Sequence, residues 1–215
     1  MSKPKPTVFI VDDDEVIRNT IAQLAEAVDL KAKTFSSAQE FLDSYAPEES
    51  GCVILDVRMP GMSGIKLQTR LRDQDIHIPI IFITGHGDVP MAAQAFKNGA
   101  VDFIEKPFRN QDLLDQIQEA LARDTRFRQK QAIQKAIREK LVLLTQRERE
   151  VLGLVMAGKA NKVIACELGL SQRTVEVHRA GMMEKMQVDS LAELITLANK
   201  ANYIEQYAIE SCSAM

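Results

Sequence analysis

Val8-Phe-Ile-Val-Asp-Asp13 is a short apolar run that ends in two carboxylates, and it sets the fold of the N-terminal half. Three later runs have the same form, namely Cys52-Val-Ile-Leu-Asp56, Ile80-Ile-Phe-Ile-Thr84 and Val101-Asp-Phe-Ile-Glu-Lys106. Helical patterns separate the runs, and strands that alternate with helices predict a parallel sheet with right-handed crossovers. The strand ends would gather five polar side chains at one edge, which are those of Asp12, Asp13, Asp56, Thr84 and Lys106. Open α/β sheets bind their ligands at that edge.

These five side chains suit the binding of a divalent cation and a phosphoryl group. A carboxylate can attack a phosphoryl group, and Asp56 is the candidate nucleophile. Mg²⁺ prefers carboxylate oxygens, the ammonium of Lys106 would offset charge on phosphoryl oxygens, and the hydroxyl of Thr84 would donate a hydrogen bond. Taken singly, an aspartate after a strand is more often a turn residue, and a lysine before proline is usually solvated. The ordered set of five favours the phosphoryl site.

Composition and charge indicate more than one domain. The chain has 215 residues, of which 46% are hydrophobic. Residues 1–122 carry a net charge of −7, residues 123–140 carry +5, and residues 141–215 carry −1. We therefore expect an N-terminal domain over 1–122, a helical linker over 123–140, a C-terminal domain over 141–203 and a tail over 204–215. The C-terminal half is nearly neutral, so if it binds DNA, a dimer would have to combine its phosphate contacts.

The sequence also argues against secretion and membrane insertion. No apolar stretch approaches the roughly 20 residues that span a bilayer. The N-terminal Met1-Ser-Lys-Pro-Lys-Pro6 lacks the apolar segment of a signal peptide. The cysteines Cys52, Cys166 and Cys212 are widely spaced without a metal-ligand pattern, which favours reduced thiols. We expect a cytoplasmic protein that contacts no membrane.

Four motifs carry a specific family resemblance for residues 5–122. They are Val11-Asp-Asp-Asp-Glu15, Leu55-Asp-Val-Arg-Met-Pro-Gly-Met-Ser-Gly64, Thr84-Gly-His-Gly-Asp88 and Gly99-Ala-Val-Asp-Phe-Ile-Glu-Lys-Pro107. In this order they resemble the receiver domain of two-component response regulators, and their wording is similar to the FixJ subgroup of the NarL/FixJ family. The resemblance implies a flavodoxin-like, doubly wound parallel sheet of five strands in the order 2-1-3-4-5.

The same resemblance implies roles for individual residues. A sensor histidine kinase would donate a phosphoryl group to Asp56. Mg²⁺ or Mn²⁺ would be held by an acidic pocket, with ligands from Asp13, Asp56 and the Arg58 backbone carbonyl, and Asp12 through a water. Thr84, Phe103 and Lys106 would form the switch, and Lys106–Pro107 would be a cis peptide bond, which X–Pro bonds permit. Arg58 and His86 would flank the phosphoryl group, although an exposed loop position explains either side chain equally well.

The C-terminal half has an entirely helical pattern. Thr145-Gln-Arg-Glu148 is a capping box that begins one helix, and Ser171 is an N-cap that begins a later one. The string Thr174-Val-Glu-Val177 alternates like a strand. A helical stripe favours a helix and a core instead, and it consists of Val175, Met182, Met183 and Met186.

Residues 143–200 resemble the LuxR-type helix-turn-helix domain, which would complete the architecture as a four-helix unit. The matching motifs are Leu144-Thr-Gln-Arg-Glu-Arg-Glu-Val-Leu152, Asn161-Lys-Val-Ile-Ala165 and Ser171-Gln-Arg-Thr-Val-Glu-Val-His178. The helix-turn-helix itself would run from Asn161 to Ala180. Gly181 lies inside the second helix, where glycine costs about 1 kcal/mol relative to alanine. It would either allow close approach to DNA or weaken the helix.

The helix after Ser171 can enter the major groove of DNA. Arg179 would contact guanine, Glu176 would accept from cytosine, and Val177 or Ala180 would touch a thymine methyl group. Phosphate contacts would come from Lys162, Arg173, Thr174, His178 and Lys185.

The two halves together predict a phosphorylation-activated transcription regulator. Phosphorylation would favour a receiver homodimer that places two DNA-binding units on promoter half-sites. Its partners would be a sensor histidine kinase, promoter DNA and RNA polymerase. Three alternatives remain, which are a protein-interaction adaptor, an enzyme of the phosphatase type, and a regulator that acts without phosphorylation.

Overall fold

The computed structural model describes residues 5–85 and 89–201. The chain divides after Arg128 into an N-terminal and a C-terminal unit. The strands are β1 (Thr7–Val11), β2 (Lys31–Phe35), β3 (Gly51–Asp56), β4 (Ile80–Thr84) and β5 (Asp102–Glu105). The helices are α1 (Glu15–Glu26), α2 (Ala38–Ser44), α3 (Gly64–Asp73), α4 (Val89–Lys97), α5 (Asn110–Val142), α6 (Gln146–Met156), α7 (Asn161–Leu168), α8 (Gln172–Met186) and α9 (Leu191–Lys200).

The sheet of the N-terminal unit is parallel and has the order β2-β1-β3-β4-β5. This confirms the five-stranded doubly wound architecture. Strands β1, β3 and β4 are buried along their whole length, which explains their continuous apolar runs. Successive side chains of β1 enter different cores: Val8 and Ile10 belong to one, and Phe9 and Val11 to the other.

Strand β2 has no apolar run and is not predicted by the hydrophobic pattern. It lies at the edge of the sheet, and of its sequence Lys-Ala-Lys-Thr-Phe only Phe35 is fully buried. An edge strand needs one buried face at most, so its residues need not be apolar. Only the family resemblance implied this fifth strand.

Side-chain caps start the crossover helices close to the strand ends. Asp14 accepts hydrogen bonds from the backbone N–H groups of Val16 and Ile17 at the start of α1. Ser37 and Ser63 cap α2 and α3 in the same way. Since Asp14 provides the cap of α1, Asp12 and Asp13 are available for another role.

Helix α5 continues through the segment that the charge pattern predicts as a linker. Its first turns pack Leu113 and Ile117 into the core under the sheet, and its last turns place Ile137 and Leu141 in the core of the C-terminal unit. The predicted helical linker is confirmed. The domain limits at 122 and 140 stay predictions.

Asp124 and Arg128 fasten the middle of α5 to the N-terminal unit. The Asp124 side chain is 2% exposed, and it accepts a hydrogen bond from the Gly51 backbone N–H at 3.0 Å. The Arg128 Nε donates to both Asp124 carboxylate oxygens at 2.9 Å. Its terminal nitrogens donate to three backbone carbonyls in the loop before β3, those of Pro47, Glu48 and Glu49. A buried carboxylate and an exposed loop are thus satisfied by one guanidinium group.

The C-terminal unit is a set of helices, α6 to α9, around one apolar core. Val175, Met182 and Met186 of α8 are fully buried in it, and Met183 packs against it. The predicted core stripe is therefore confirmed. Thr174-Val-Glu-Val177 is helical, because Ser171 caps α8 through the Thr174 backbone N–H at 3.0 Å.

In the part of the chain that the structure describes, no helix is long and apolar enough to span a membrane. Cys52 is a buried free thiol and Cys166 an exposed one. Burial raises the pKa of the Cys52 thiol. Cys212 lies outside the described residues.

Replacing Arg128 with alanine should lower the free energy of unfolding of the N-terminal unit by about 3 kcal/mol, because Asp124 would keep a buried charge without its cation. The matched control is Arg123→Ala, one helical turn away. Arg123 pairs with Glu119, and the two side chains are 51% and 46% exposed, so its loss should cost less than about 1 kcal/mol. Urea unfolding followed by hydrogen exchange, which reports on each unit separately, would measure both values. Equal effects of the two changes would contradict the assignment.

Candidate functional site

Two buried carboxylates and one ammonium group meet at the carboxyl edge of the sheet. Asp12 directly follows β1, Asp56 is the last residue of β3, and Lys106 directly follows β5. The Lys106 Nζ lies 2.7 Å from Asp12 Oδ2 and 2.7 Å from Asp56 Oδ1. The remaining oxygens accept backbone hydrogen bonds, Asp12 Oδ1 from Asp14 at 2.9 Å and Asp56 Oδ2 from Arg58 at 2.6 Å. The sequence predicted this convergence.

The environment of Asp56 raises the pKa of its carboxyl. Burial is the main cause, the nearby Asp12 carboxylate adds to it, and the hydrogen bonds from Lys106 and the Arg58 backbone oppose it. For Lys106, burial alone would lower the pKa. The hydrogen bonds and charges of Asp12 and Asp56 outweigh that effect and raise the pKa of Lys106. Lys106 is therefore a stable cation that favours the ionised form of Asp56.

The other predicted members of the site surround this cluster. Thr84 ends β4 and is buried, and its backbone carbonyl accepts from the Lys106 N–H at 2.7 Å. Asp13 and Arg58 are exposed. Phe103 is half-buried, and its ring centroid lies 6.2 Å from that of Phe82. The Lys106–Pro107 peptide bond is cis, as the resemblance implied. His86 lies outside the described residues.

A hard divalent cation fits the donor chemistry of this edge. Two aspartates, Asp12 and Asp13, follow β1, and Asp56 ends the adjacent strand β3, so their carboxylates lie at one edge of the sheet. Carboxylate oxygens suit Mg²⁺ or Mn²⁺. Among the described residues, no three acidic, histidine or cysteine side chains already converge as a metal cage. The ligand set is therefore still a prediction.

Gly64, in the motif that contains Asp56, occupies a position with no room for a side chain. A Cβ atom at this position would lie 2.3 Å from the Asp56 carbonyl oxygen and 2.9 Å from the Leu55 side chain. The Gly64 N–H donates to the Val57 carbonyl at 3.1 Å. The absent side chain lets α3 begin directly against the strand that carries Asp56.

The C-terminal unit presents the predicted nucleic-acid face on α7 and α8. Five of the predicted DNA contacts are exposed, namely Lys162, Arg173, Glu176, Val177 and Ala180. The other four are half-buried, namely Thr174, His178, Arg179 and Lys185. Val177 is 59% exposed and presents an apolar side chain that suits contact with a base methyl group.

Two of the half-buried cations have partners that the sequence analysis missed. The Arg179 Nη1 donates to the Asn161 side-chain oxygen. Lys185 forms an ion pair with Glu148 Oε2 at 2.6 Å, and the Glu148 side chain is 7% exposed. Glu148 completes the predicted capping box with Thr145. Its position in that box was a sequence signal, whereas its partner on another helix was not.

Gly181 admits the Glu148 carboxylate to the surface of α8. A Cβ atom at Gly181 would lie 2.9 Å from Glu148 Oε1, closer than carbon and oxygen normally approach. The close approach is therefore between two helices of the same unit. This contact gives Gly181 a structural role that the sequence left open.

Comparisons with known proteins match both units to families. Residues 8–118 match the model of the response regulator receiver domain. Residues 142–198 match that of bacterial regulatory proteins of the luxR family. The chain belongs to the response regulators. Its architecture is a receiver domain followed by a LuxR-type DNA-binding output domain, as in FixJ and TodT.

Relatives similar over most of their length support this assignment. Nodulation protein W of Bradyrhizobium diazoefficiens is 46% identical over 206 residues, which cover 94% of this chain and 91% of the relative. FixJ of Azorhizobium caulinodans is 42% identical over 191 residues, covering 89% and 90%. The solved structure of the response regulator StyR has a TM-score of 0.81 at 46% identity, covering 92% of this chain and all of StyR. Full-length FixJ from B. japonicum has a TM-score of 0.56 at 42% identity, covering 94% and 99%.

Membership fixes the broad biochemistry of this response regulator. The family comprises phosphoacceptor transcription factors rather than turnover enzymes, so the phosphatase alternative is set aside. Receiver domains typically use Mg²⁺. A two-component response regulator has a kinase partner and binds DNA.

Glu148→Gln should weaken the C-terminal unit in a pH-dependent manner. Glutamine keeps the hydrogen bond from the Thr145 N–H but loses the charge opposite Lys185, which should cost about 1.5–3 kcal/mol at pH 7. Despite burial, which raises it, the pKa of Glu148 is lowered by hydrogen bonds from Lys185 and Thr145. A lowered pKa contributes stability above the unfolded pKa of about 4.3, and that stability is lost as the pH falls through the folded value.

Urea unfolding of the full chain between pH 7 and pH 3, with hydrogen exchange reporting on α6 and α8, would measure the difference. The difference in free energy of unfolding between wild type and Glu148→Gln should become smaller as the pH falls. Glu150→Gln is the control, because Glu150 contacts Arg147 and Gln146 of its own helix rather than a cation on another helix. A difference in free energy of unfolding that does not change with pH would refute the charge–charge explanation.

Proposed function

We propose that Asp56 accepts a phosphoryl group from a sensor histidine kinase, and that this modification increases promoter binding by the C-terminal unit. The observation that carries the proposal is the contact of Lys106 with both Asp12 and Asp56. An oxygen of Asp56 would form a bond to phosphorus as the bond from phosphorus to the kinase histidine breaks. Lys106 would then offset charge on the transferred oxygens, which is an electrostatic form of catalysis.

A divalent cation completes this proposal. Asp13, Asp56 and the Arg58 backbone carbonyl would hold Mg²⁺ or Mn²⁺, with Asp12 acting through a water. Bound there, the cation would reduce the repulsion between the anionic nucleophile and the anionic phosphoryl group. Hydrogen bonds from Lys106 and the Arg58 N–H favour the ionised, nucleophilic form of Asp56, against the burial that raises its pKa. Thr84 would donate to a phosphoryl oxygen, and Phe103 would repack behind it.

Dimerisation through the face of α4, β5 and α5 would connect the two units functionally. Phe96 on α4 is 47% exposed and offers apolar surface to a partner. Two receivers joined there would bring two DNA-binding units to adjacent half-sites, and their phosphate contacts would add. That addition matters because the C-terminal half carries little net charge. RNA polymerase at the promoter and a cytoplasmic location belong to the same proposal.

DNA recognition would use the exposed face of α7 and α8. Arg179, Glu176, Val177 and Ala180 would contact bases. Lys162, Arg173, Thr174 and His178 would contact phosphates. Lys185 would reach a phosphate only if it leaves Glu148, so its main role in this arrangement is to hold α8 against α6.

Asp56→Asn should abolish the response to a phosphoryl mimic, since an amide cannot be loaded. The measurement is the light-scattering mass of the full chain in Mg²⁺, with and without beryllofluoride. Wild type and the control Asp43→Asn, an exposed carboxylate on α2, should both shift from monomer to dimer. A shift of Asp56→Asn like that of wild type would show that the phosphoryl site is wrong. If beryllofluoride binds at Asp56 of the wild type but the mass does not change, only the dimerisation step is refuted. If the wild-type mass changes although no beryllofluoride binds at Asp56, a regulator that acts without phosphorylation becomes the better explanation.

Lys162→Ala should weaken binding to all duplexes uniformly and reduce the slope of log affinity against log salt by about 1. The probe is a duplex selected by the wild-type protein from a random pool. Lys31→Ala is the control, because Lys31 is also an exposed lysine but lies on β2 of the other unit. If neither wild type nor control shows salt-dependent DNA binding, the protein-interaction adaptor becomes the better explanation.

A further inference from the structure

The side chain of Arg179, which the proposed function assigns to base recognition, is held by a residue of the preceding helix. Arg179 lies on α8, and its Nη1 donates to the side-chain oxygen of Asn161, the first residue of α7. Both residues are half-buried. The contact spans the turn of the helix-turn-helix and joins residues 18 positions apart.

The partner of Arg179 is a neutral amide, and this distinguishes Arg179 from its neighbours. Lys185 is paired with Glu148 at 2.6 Å, and Arg173 lies 3.9 Å from Glu176. Within the described residues, no carboxylate lies within ion-pair distance of Arg179. An amide oxygen orients a guanidinium group without cancelling its charge, so Arg179 keeps its attraction for DNA while losing rotational freedom.

Orientation decides which DNA group an arginine recognises. A free arginine side chain loses about 2 kcal/mol of rotamer entropy when it is fixed, and it can bind a phosphate as readily as a base. Reading guanine requires the planar fork to face two acceptors at once. A partner that fixes the guanidinium before binding therefore favours base recognition over phosphate binding.

The side chain of Asn161 is available for this role because it does not cap its own helix. The N-cap of α7 is Ala160, which has no side chain that can cap, and no side-chain hydrogen bond closes this helix end. Asparagine is favoured at helix starts mainly as an N-cap, but here it is one position later and its oxygen serves Arg179. Its side chain is thus committed to α8 rather than to its own helix.

We propose that Asn161 is a positioning residue that sets the base preference of this regulator by orienting Arg179. The proposal rests on the proposed function, in which Arg179 contacts a base edge. Asn161 acts through Arg179, so its effect on base preference requires Arg179 to be present. Loss of either residue should remove the same part of the recognised sequence.

The test is selection of duplexes from a random pool by the full chain in Mg²⁺ and beryllofluoride. Wild type, Asn161→Ala, Arg179→Ala and the double variant would be compared, after circular dichroism has shown that each is folded. Arg179→Ala should lose preference at one base-pair position by about tenfold. Asn161→Ala should lose most of that preference at the same position, and the double variant should lose no more than Arg179→Ala alone.

Two further variants separate positioning from a general structural role. Asn161→Asp keeps the oxygen acceptor, so it should retain the base preference while lowering affinity for all duplexes, because its charge opposes phosphate. Gln146→Ala removes an amide from the first position of α6, where Gln146 donates a hydrogen bond to Glu150 of its own helix, and it should leave the base preference unchanged.

Each remaining outcome overturns a defined claim. An Asn161→Ala variant with unaltered preference at the Arg179 position would overturn the positioning role. So would a uniform loss of affinity across all duplexes, which would make Asn161 a phosphate contact. If wild type enriches no sequence at all, the proposed sequence-specific DNA binding fails, and the role of Asn161 fails with it.

Discussion

The ammonium group of Lys106 lies 2.7 Å from carboxylates of both Asp12 and Asp56, and the N-terminal unit is organised around that contact. Two buried carboxylates side by side would repel each other without a cation between them. Lys106 is 94 positions from Asp12 and 50 positions from Asp56 in sequence, and the common carboxyl edge of the parallel strands brings the three side chains together. Lys106 directly follows β5, so a phosphoryl group on Asp56, as proposed, would act on the end of that strand through Lys106. The phosphoryl site and the proposed dimer face are therefore adjacent parts of one structure.

In the C-terminal unit, α8, the helix proposed to bind DNA, is held by one ion pair and by one contact to a neutral side chain. The buried Glu148 and the half-buried Lys185 hold α8 against α6, and the glycine at 181 gives the carboxylate its space. Arg179 is held instead by the neutral side chain of Asn161. An ion pair strengthens the attachment of a helix but consumes a positive charge. An amide contact leaves that charge available to DNA, which carries one negative charge per roughly 1.7 Å of its axis. A nearly neutral domain can thus concentrate positive charge on one face.

Sequence reasoning was most accurate where a residue acts through its own element. The strands β1, β3 and β4 were predicted from continuous apolar runs, because both faces of a central parallel strand are buried. Strand β5 lies at the other edge of the sheet and is only partly buried, but Val101, Phe103 and Ile104 still form a recognisable apolar run. The cap at Ser171 correctly overrode the strand-like alternation that follows it. Strand β2 was missed by pattern because an edge strand has only partial burial. The contact between Asp124 and Arg128 was also missed, since its other members are backbone groups of the loop before β3, and backbone groups leave no trace in sequence.

The sequence by itself determined the fold class, the five polar residues at the sheet edge and the motif of the DNA-binding helices. These depend on hydrophobic period, turn residues and motif order, all of which are local properties of the chain. Only the tertiary structure decided which charges are engaged, namely Lys106 between two aspartates, Lys185 on Glu148 and Arg179 on Asn161. The physical reason is that a long side chain chooses its partner by distance in space. Packing sets the distances between elements, and the local sequence around two residues that are far apart in the chain does not show how close they come in the fold.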